Sequence, residues 1–252
     1  MREHLLAPLL PVLREVVDDA EGKRLVEQLA AWKGDYPVDS TAATLFNQLL
    51  FQIAEGALHD ELGDAFFDSL IATRAIDSAL PRLAADADSP WWDDRRTERR
   101  ETRADIVRTA WNASLAHLRS TLGNDPSGWL WGKAHTLTHE HALGQQALLK
   151  RLLNVGPFAA PGTHEVPNNL SAKIGPAPWA VTYGPSTRRL VDFADPTHSL
   201  GINPVGQSGV PFDGHYDDQA EAYIEGHYLP QHYEENEVKA NSKGVLVLEP
   251  KR

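Results

Sequence analysis

The sequence Gly184-Pro185-Ser186-Thr187-Arg188-Arg189-Leu190-Val191-Asp192 carries much of the polar specificity of this 252-residue chain. Gly184 and Pro185 predict a turn, and the residues after them predict a strand that carries Arg188 and Asp192. Side chains four positions apart on a strand point to the same face, so we expect these two to form an ion pair. Such a pair is structural in most proteins; the alternative is that Asp192 orients a reactive group.

A second glycine-bounded turn, Gly206-Gln207-Ser208-Gly209, follows and is closed by His215 and Tyr216. At first sight it resembles a nucleophile elbow, in which a serine stands midway between two glycines. Val210 occupies the position of the second glycine, and prolines on both sides of the turn leave no room for the helix that follows an elbow. We therefore interpret Ser208 as a turn residue whose hydroxyl binds nearby backbone groups.

Three histidines, His135, His139 and His141, are the strongest metal-ligand candidates. The first two would share a face of a helix, and all three would share a face of a strand. However, Thr136 follows His135 where the metalloprotease helix motif has a glutamate, and the chain contains no cysteine. We expect hydrogen-bonded histidines and no metal, with a zinc site as the alternative.

The composition excludes several classes of protein. A net charge of -11 at pH 7 argues against nucleic-acid binding, because neutralising phosphates requires a basic surface. No apolar run approaches the roughly 20 residues that span a bilayer, so no membrane association is expected. Residues 1–10 predict the start of a helix and lack the basic region and the cleavage site of a signal peptide. Without cysteine there is neither a disulfide framework nor thiolate chemistry.

The chain divides into two segments of different texture. Residues 1–125 predict a mainly helical segment and residues 126–252 a strand- and turn-rich segment, so the expected fold class is α+β. In the first segment Ser40 predicts a helix N-cap, and the longest helix is expected to begin at Trp91-Trp92 and to end at Gly123. Its core-facing stripe is Val107, Trp111, Leu115, Leu118 and Leu122. In the second segment strands are predicted at 179–183, 190–193 and 245–248, and a short helix or turn at 223–228.

An ordered set of motifs resembles the C-terminal part of the penicillin acylase (penicillin amidase) family. The set comprises Trp131-Gly132-x-x-His135, Gly184-x-Ser186-x-Arg188-x-x-x-Asp192, Gly206-Gln207-Ser208-Gly209 and His215-Tyr216-x-Asp218-Gln219, preceded by Asp39-Ser40-x-Ala42-Ala43 and Trp92-Asp93-Asp94. Each motif alone is weak, but together, in this order, they are specific and cover most of the chain.

The resemblance implies the C-terminal portion of an N-terminal-nucleophile hydrolase with an αββα fold. Such enzymes hydrolyse the acyl amide of β-lactams, acyl-homoserine lactones or similar N-acyl compounds. They are made as precursors that cut themselves and so free a serine nucleophile at a new N-terminus, with its own α-amine as base. Many members are periplasmic or secreted. No motif here matches the nucleophile or the oxyanion asparagine, so we expect the chain alone to be inactive.

On this interpretation the chain supports an active site built elsewhere. Asp192, with Arg188 beside it, is the residue most suited to orient a group near the nucleophile, whereas the substrate-binding residues stay open. The set interpreted as structural is Gly206, Gln207, Ser208, Gly209, His215 and Tyr216. The expected partners are a small N-acyl substrate and the rest of the enzyme, namely the remainder of the β chain and the α chain of the precursor. No cofactor is expected in this chain, and the calcium of some members would have its ligands elsewhere. The alternative is a non-catalytic scaffold or binding protein derived from the same fold.

Overall fold

A computed structural model describes residues 2–73, 75–164 and 166–250. They form two compact units that interleave along the sequence. The first unit comprises Met1–Thr138 and Gly156–Gly184, and the second comprises His139–Val155 and Pro185–Arg252.

The first unit is built on helices that share one apolar core. A π-helical turn at Arg2–Leu6 precedes α1 (Ala7–Val16), α2 (Ala20–Ala31), α3 (Thr41–Ile71), α4 (Ala75–Ala85), α5 (Arg103–Leu122) and the short α6 (Trp131–Ala134). Each of the first five helices contributes buried side chains, among them Leu13, Leu29, Ala54, Ile76 and Leu118. Burial of this apolar surface is the main term that stabilises the unit.

Local signals in the helical region are confirmed at several positions. Ser40 caps α3, because its hydroxyl accepts a hydrogen bond from Ala43 N at 3.2 Å. Gly123 ends α5. The predicted stripe faces the core, with Val107, Trp111, Leu115 and Leu118 buried and Leu122 partly buried against them.

The predicted start of α5 is wrong. Pro90–Trp92 form a single 3-10 turn, and the helix begins only at Arg103. A capping box sets this start, because the Thr102 hydroxyl accepts from Asp105 N while the Asp105 carboxylate accepts from Thr102 N. With 20 residues, α5 is also shorter than α3, whose 31 residues are kinked where Gly63 adopts a φ of 65°.

A mixed four-stranded sheet belongs to the first unit, apart from the strand-end residues His139 and Val155, which fall in the second. Its strands are β1 (His135–His139), β2 (Val155–Ala159), β3 (Ser171–Ala172) and β4 (Trp179–Tyr183), in the order β2-β1-β4-β3. β1 runs parallel to β4, with His135 opposite Trp179, and β3 runs antiparallel to β4. The strand predicted at 179–183 is confirmed.

The second unit combines short helices with a small antiparallel sheet. The elements are α7 (Ala147–Leu153), β5 (Arg188–Leu190), β6 (Leu200–Ile202), α8 (Ala220–Glu225), β7 (Leu229–Pro230) and α9 (Glu235–Asn241). The strand order is β5-β6-β7, with Arg189 opposite Gly201 and Gly201 opposite Leu229. The α+β prediction is confirmed, and no helix among the described residues is long and apolar enough to cross a bilayer.

Two of the predicted strands are wrong. The strand expected at 190–193 is displaced, because β5 ends at Leu190 and a turn follows, in which Asp195 N donates to Asp192 O at 3.0 Å. The segment 245–248 is not a strand. The short helix expected at 223–228 is confirmed in kind and begins earlier, at Ala220.

Candidate functional site

Arg188 lies at the start of β5 and binds Tyr223 of α8. Its Nη1 donates to Tyr223 O at 2.6 Å, and its guanidinium carbon lies 3.9 Å from the centre of the tyrosine ring. A guanidinium over the face of an aromatic ring is attracted by the negative charge density of that face. The Tyr223 hydroxyl in turn donates to Pro185 O at 2.7 Å. These contacts fix the turn at Pro185, β5 and α8 to one another.

His139 completes a cluster around the same ring. Its imidazole packs edge-on against Tyr223, with 6.0 Å between ring centres and 72° between the planes. Burial lowers the pKa of His139 and raises the pKa of Tyr223, so both rings are neutral near pH 7. We call Arg188, Tyr223 and His139 the tyrosine cluster. The Arg188 guanidinium is the charged group of this cluster. The cluster stabilises the local structure.

Asp192 does not share a strand with Arg188. The carboxylate lies two residues beyond the end of β5, is exposed, and accepts a hydrogen bond from Ala194 N at 2.9 Å. Such a side-chain bond to the backbone two residues ahead stabilises a turn and competes with extension of the strand. The predicted common face for the two side chains is therefore wrong. A role for Asp192 beside a nucleophile stays a prediction.

The glycine-bounded turn is held by paired backbone bonds. Gly206 N donates to Tyr216 O and Ser208 N donates to His215 O, both at 2.9 Å. The Ser208 hydroxyl accepts from Val210 N at 3.1 Å, a contact typical of a turn serine. Gln207 and Gly209 project into solvent between these bonds.

The residues that close this turn are anchored separately. His215 Nδ1 lies 2.8 Å from an Asp218 carboxylate oxygen, and the Tyr216 hydroxyl donates to Leu153 O at 2.5 Å. The turn is thereby connected to the end of α7. All of these bonds serve conformation, in keeping with the structural interpretation of the set Gly206, Gln207, Ser208, Gly209, His215 and Tyr216.

Each of the three candidate metal ligands has its own local partner. His135 is fully buried, stacks on Trp131 at 4.5 Å between ring centres, and has Nδ1 2.7 Å from Ala160 O. Its burial lowers the pKa of the imidazole. His141 Nδ1 accepts from Leu143 N at 3.1 Å, and His139 belongs to the tyrosine cluster. In the ranges that the structure describes, no three His, Cys, Asp or Glu side chains are grouped to hold a metal ion.

The first unit contains a perturbed carboxyl pair that the sequence pattern did not single out. Burial, followed by the neighbouring Asp60 carboxylate, raises the pKa of Glu61 to about 7. Asp60 is itself fixed by a hydrogen bond from Arg95 N at 2.7 Å. Two adjacent acids on a helix are common, and here burial together with the neighbouring carboxylate raises the pKa of Glu61.

Relatives named as acylases match most of the chain. Acyl-homoserine lactone acylase QuiP from Pseudomonas fluorescens is 29% identical over 225 residues, a match that covers 85% of this chain and 27% of that protein. Penicillin acylase 2 proenzyme from a Pseudomonas species is 23% identical over 230 residues, covering 87% of this chain and 28% of that protein. The chain therefore spans less than a third of the length of these curated relatives.

A solved structure and a family model match as well. The thermostable penicillin G acylase from Alcaligenes faecalis matches with a TM-score of 0.49 and 16% sequence identity, over 98% of this chain and 47% of that one. The model of the penicillin amidase family matches residues 1–240. Since this match takes in nearly all of the 252 residues, the chain belongs to the penicillin amidase family.

Proposed function

We propose that this chain is the C-terminal part of an amidohydrolase that cleaves a linear amide bond in a small N-acyl compound. The substrate class is the acyl side chain of a β-lactam, an acyl-homoserine lactone or a similar amide. The observation that carries the proposal is a family match over residues 1–240 in a chain that spans only 25% to 29% of the length of acylase relatives.

In the proposed reaction the nucleophile is an N-terminal serine outside this chain. Its hydroxyl oxygen attacks the amide carbon while its own α-amine takes the proton, and hydrogen-bond donors hold the oxyanion. The protonated α-amine gives that proton to the departing nitrogen as the C–N bond breaks, the amine product leaves, and water hydrolyses the acyl-serine ester to release the acid. The tyrosine cluster and the glycine-bounded turn supply rigid support for this site.

Asp192 is the proposed point of contact with the active site. Its carboxylate is exposed and is oriented by the bond from Ala194 N, which leaves acceptor capacity for a second donor. A carboxylate held in this way can orient an imidazole or an amine beside the nucleophile. The role proposed for Asp192 is therefore to position a reacting group.

The proposal includes a precursor that matures by self-cleavage. The remainder of the β chain and the α chain are the proposed partners, and a periplasmic or secreted location is proposed for the mature enzyme. One relative is named a proenzyme, which supports the precursor. Among the residues that the structure describes, no three His, Cys, Asp or Glu side chains are grouped, and the ligands of the calcium that some members bind are proposed to lie in the remainder of the enzyme.

Reading the gene upstream of the Met1 codon and sequencing the N-terminus of the purified protein test the proposal. We expect in-frame coding sequence with a serine after a small residue, and a mature chain that begins at that serine and contains this sequence. A translation start at Met1 with no partner gene nearby would contradict the enzyme and would favour the non-catalytic scaffold.

A further inference from the structure

The adjacent carboxyl groups of Asp60 and Glu61 each have one oxygen that solvent does not reach. Asp60 Oδ1 and Glu61 Oε2 are both fully covered, and no donor in the part of the chain that the structure describes hydrogen-bonds either atom. Since the cover comes from this chain itself, further polypeptide cannot supply a donor without displacing it. A buried charged oxygen without a donor is costly, so the pair needs a donor of its own.

A proton on Glu61 supplies that donor, because a protonated carboxyl group carries one O–H. Burial raises the pKa of Glu61 to about 7, and a hydrogen bond with Asp60 and repulsion by the Asp60 charge act in the same direction. The Arg95 guanidinium opposes them more weakly. Near neutral pH the pair therefore holds one proton between two carboxyl groups.

The position of the pair in α3 also disfavours a second negative charge. Gly63, with φ of 65° and ψ of 170°, interrupts the helical conformation, so Asp60 and Glu61 lie in the last turn before the kink. The carbonyl groups at the C-terminal end of a helical segment carry partial negative charge. A carboxylate in this turn is stabilised less than one elsewhere on the helix.

Asp60 also holds the loop 93–101 that precedes α5. Its Oδ2 accepts a hydrogen bond from Arg95 N at 2.7 Å. Within the described chain, the other hydrogen bonds of residues 93–101 stay between residues 90 and 105. The loop is therefore tied to α3 through one carboxylate, whose other oxygen is left for the Glu61 proton.

The other charged groups around the pair lie on the same two elements. They are Glu55, His59 and Asp64 on α3, and Asp94, Arg95 and Arg96 on the loop. Arg96 makes two hydrogen bonds of 2.8 Å to the Asp94 carboxylate. His59 Nε2 lies 2.8 Å from Asp64 Oδ1. These partners occupy one another, so the proton on Glu61 decides the charge of the pair.

We propose that Asp60 and Glu61 form a pH-sensitive latch that holds the loop 93–101 on α3. With one proton on the pair, Glu61 donates to Asp60, and Asp60 accepts from Arg95 N. When that proton passes to water, the two carboxylates repel each other and the buried Asp60 oxygen loses its donor. The loop then separates from α3. The latch is independent of the proposed function, because all of its groups lie in this chain.

Hydrogen exchange followed by mass spectrometry tests the latch in the intact gene product. After correction for the intrinsic pH dependence of exchange, protection of peptides from 93–101 should fall about tenfold between pH 6 and pH 8, because a carboxyl group with a pKa of about 7 loses its proton in this interval. Peptides from the buried part of α5, such as those that contain Leu118, should keep their protection.

Glu61→Gln separates the latch from other effects of pH. Its side-chain amide donates to Asp60 at every pH, so protection should stay at the level of the parent at pH 6. The variant leaves His59 in place, so a fall caused by that histidine would persist. Glu98→Gln, at an exposed position of the same loop, is the matched control and should keep the fall.

Three results would overturn the latch. The first is constant protection of the loop peptides between pH 6 and pH 8 in the parent. The second is a fall that persists in Glu61→Gln. The third is an equal loss of protection in the α5 peptides, which would mean that the whole unit opens and that the loop is not released by itself.

Discussion

Gly206 stands where no side chain fits. A Cβ on this residue would lie 1.8 Å from His215 O and 2.7 Å from an Asp218 carboxylate oxygen. The close approach is what allows Gly206 N to reach Tyr216 O at 2.9 Å. A glycine is therefore required by the contact between two backbone segments.

Gly206→Ala should destabilise the chain by about 1–3 kcal/mol, because the added methyl group forces the turn apart. Urea denaturation followed by circular dichroism measures the free energy of unfolding. Gly209→Ala is the matched control, since a Cβ there meets no atom within 4 Å. Equal free energies of unfolding for the two variants would show that the turn accommodates the added methyl group without loss of stability.

Tyr223 is almost fully buried, with only 1% of the residue exposed. Tyr223→Phe keeps the ring beneath Arg188 and loses the bond to Pro185 O, so it should cost about 1 kcal/mol. Tyr223→Ala also removes the contacts with Arg188 and His139 and should cost about 3–5 kcal/mol. Thermal unfolding of both variants gives the order, and a Phe variant as unstable as the Ala variant would mean that the hydroxyl, not the ring, holds the cluster.

Glu61 should make stability depend on pH. Its pKa in the folded chain is raised from 4.5 to about 7, so the folded state retains a proton that the unfolded state releases. The resulting stabilisation is complete below about pH 4.5 and is lost as the pH rises to about 7. After allowance for solvent screening, the loss is about 1 kcal/mol.

Glu61→Gln carries no charge at any pH and removes this loss. The variant should therefore match the parent in acid and exceed its stability by about 1 kcal/mol at pH 8. Glu98→Gln, at an exposed position, is the control. A stability difference that does not change between pH 4.5 and pH 8 would contradict the assignment.

Among the helices and strands, α5 shows how a cap decides where an element begins. Thr102 and Asp105 satisfy each other's backbone amides, and helical bonds start from there. Thr102→Ala should lower the free energy of unfolding by about 1 kcal/mol, and Thr102→Ser, which keeps the accepting oxygen, should restore most of it. Chemical denaturation of the parent and the two variants measures the free energy of unfolding. Identical free energies for the Ala and Ser variants would show that the Thr102 hydroxyl does not stabilise the helix start.

Elements that depend on neighbouring residues alone could be predicted from the sequence. The cap at Ser40, the end of α5 at Gly123, its buried stripe and β4 all follow from local chemistry and periodicity. The Thr102-x-x-Asp105 capping-box pattern also predicts a helix that starts at residue 103. The helical spacing of charges before residue 102 favours an earlier start.

Elements that depend on distant partners could not be predicted. The tyrosine cluster joins residues 139, 188 and 223, and no local pattern reveals that Arg188 binds a ring instead of Asp192. Asp192 bonds Ala194 N and turns the chain where strand preference would continue it. Val245–Leu248 has the composition of a strand but does not form one here, because strand propensity is not enough without a neighbouring strand to pair with.

The chain consists of two compact units. The polar contacts described for the predicted site residues stabilise the local conformation. The helical core and most of the mixed sheet form one unit, and the tyrosine cluster and the glycine-bounded turn belong to the other. The nucleophile of the family reaction is proposed to come from outside this chain. We therefore propose that the chain supports an amidase active site without containing its nucleophile.

Incubating the purified 252-residue chain with a chromogenic phenylacetyl anilide, and following release of the aniline, tests that claim most directly. We expect no hydrolysis above the rate in buffer, because Ser208, the serine of the elbow-like turn, is bound into the turn itself. Hydrolysis by the chain alone that disappears in Ser208→Ala would contradict it, since the nucleophile would then lie within this sequence.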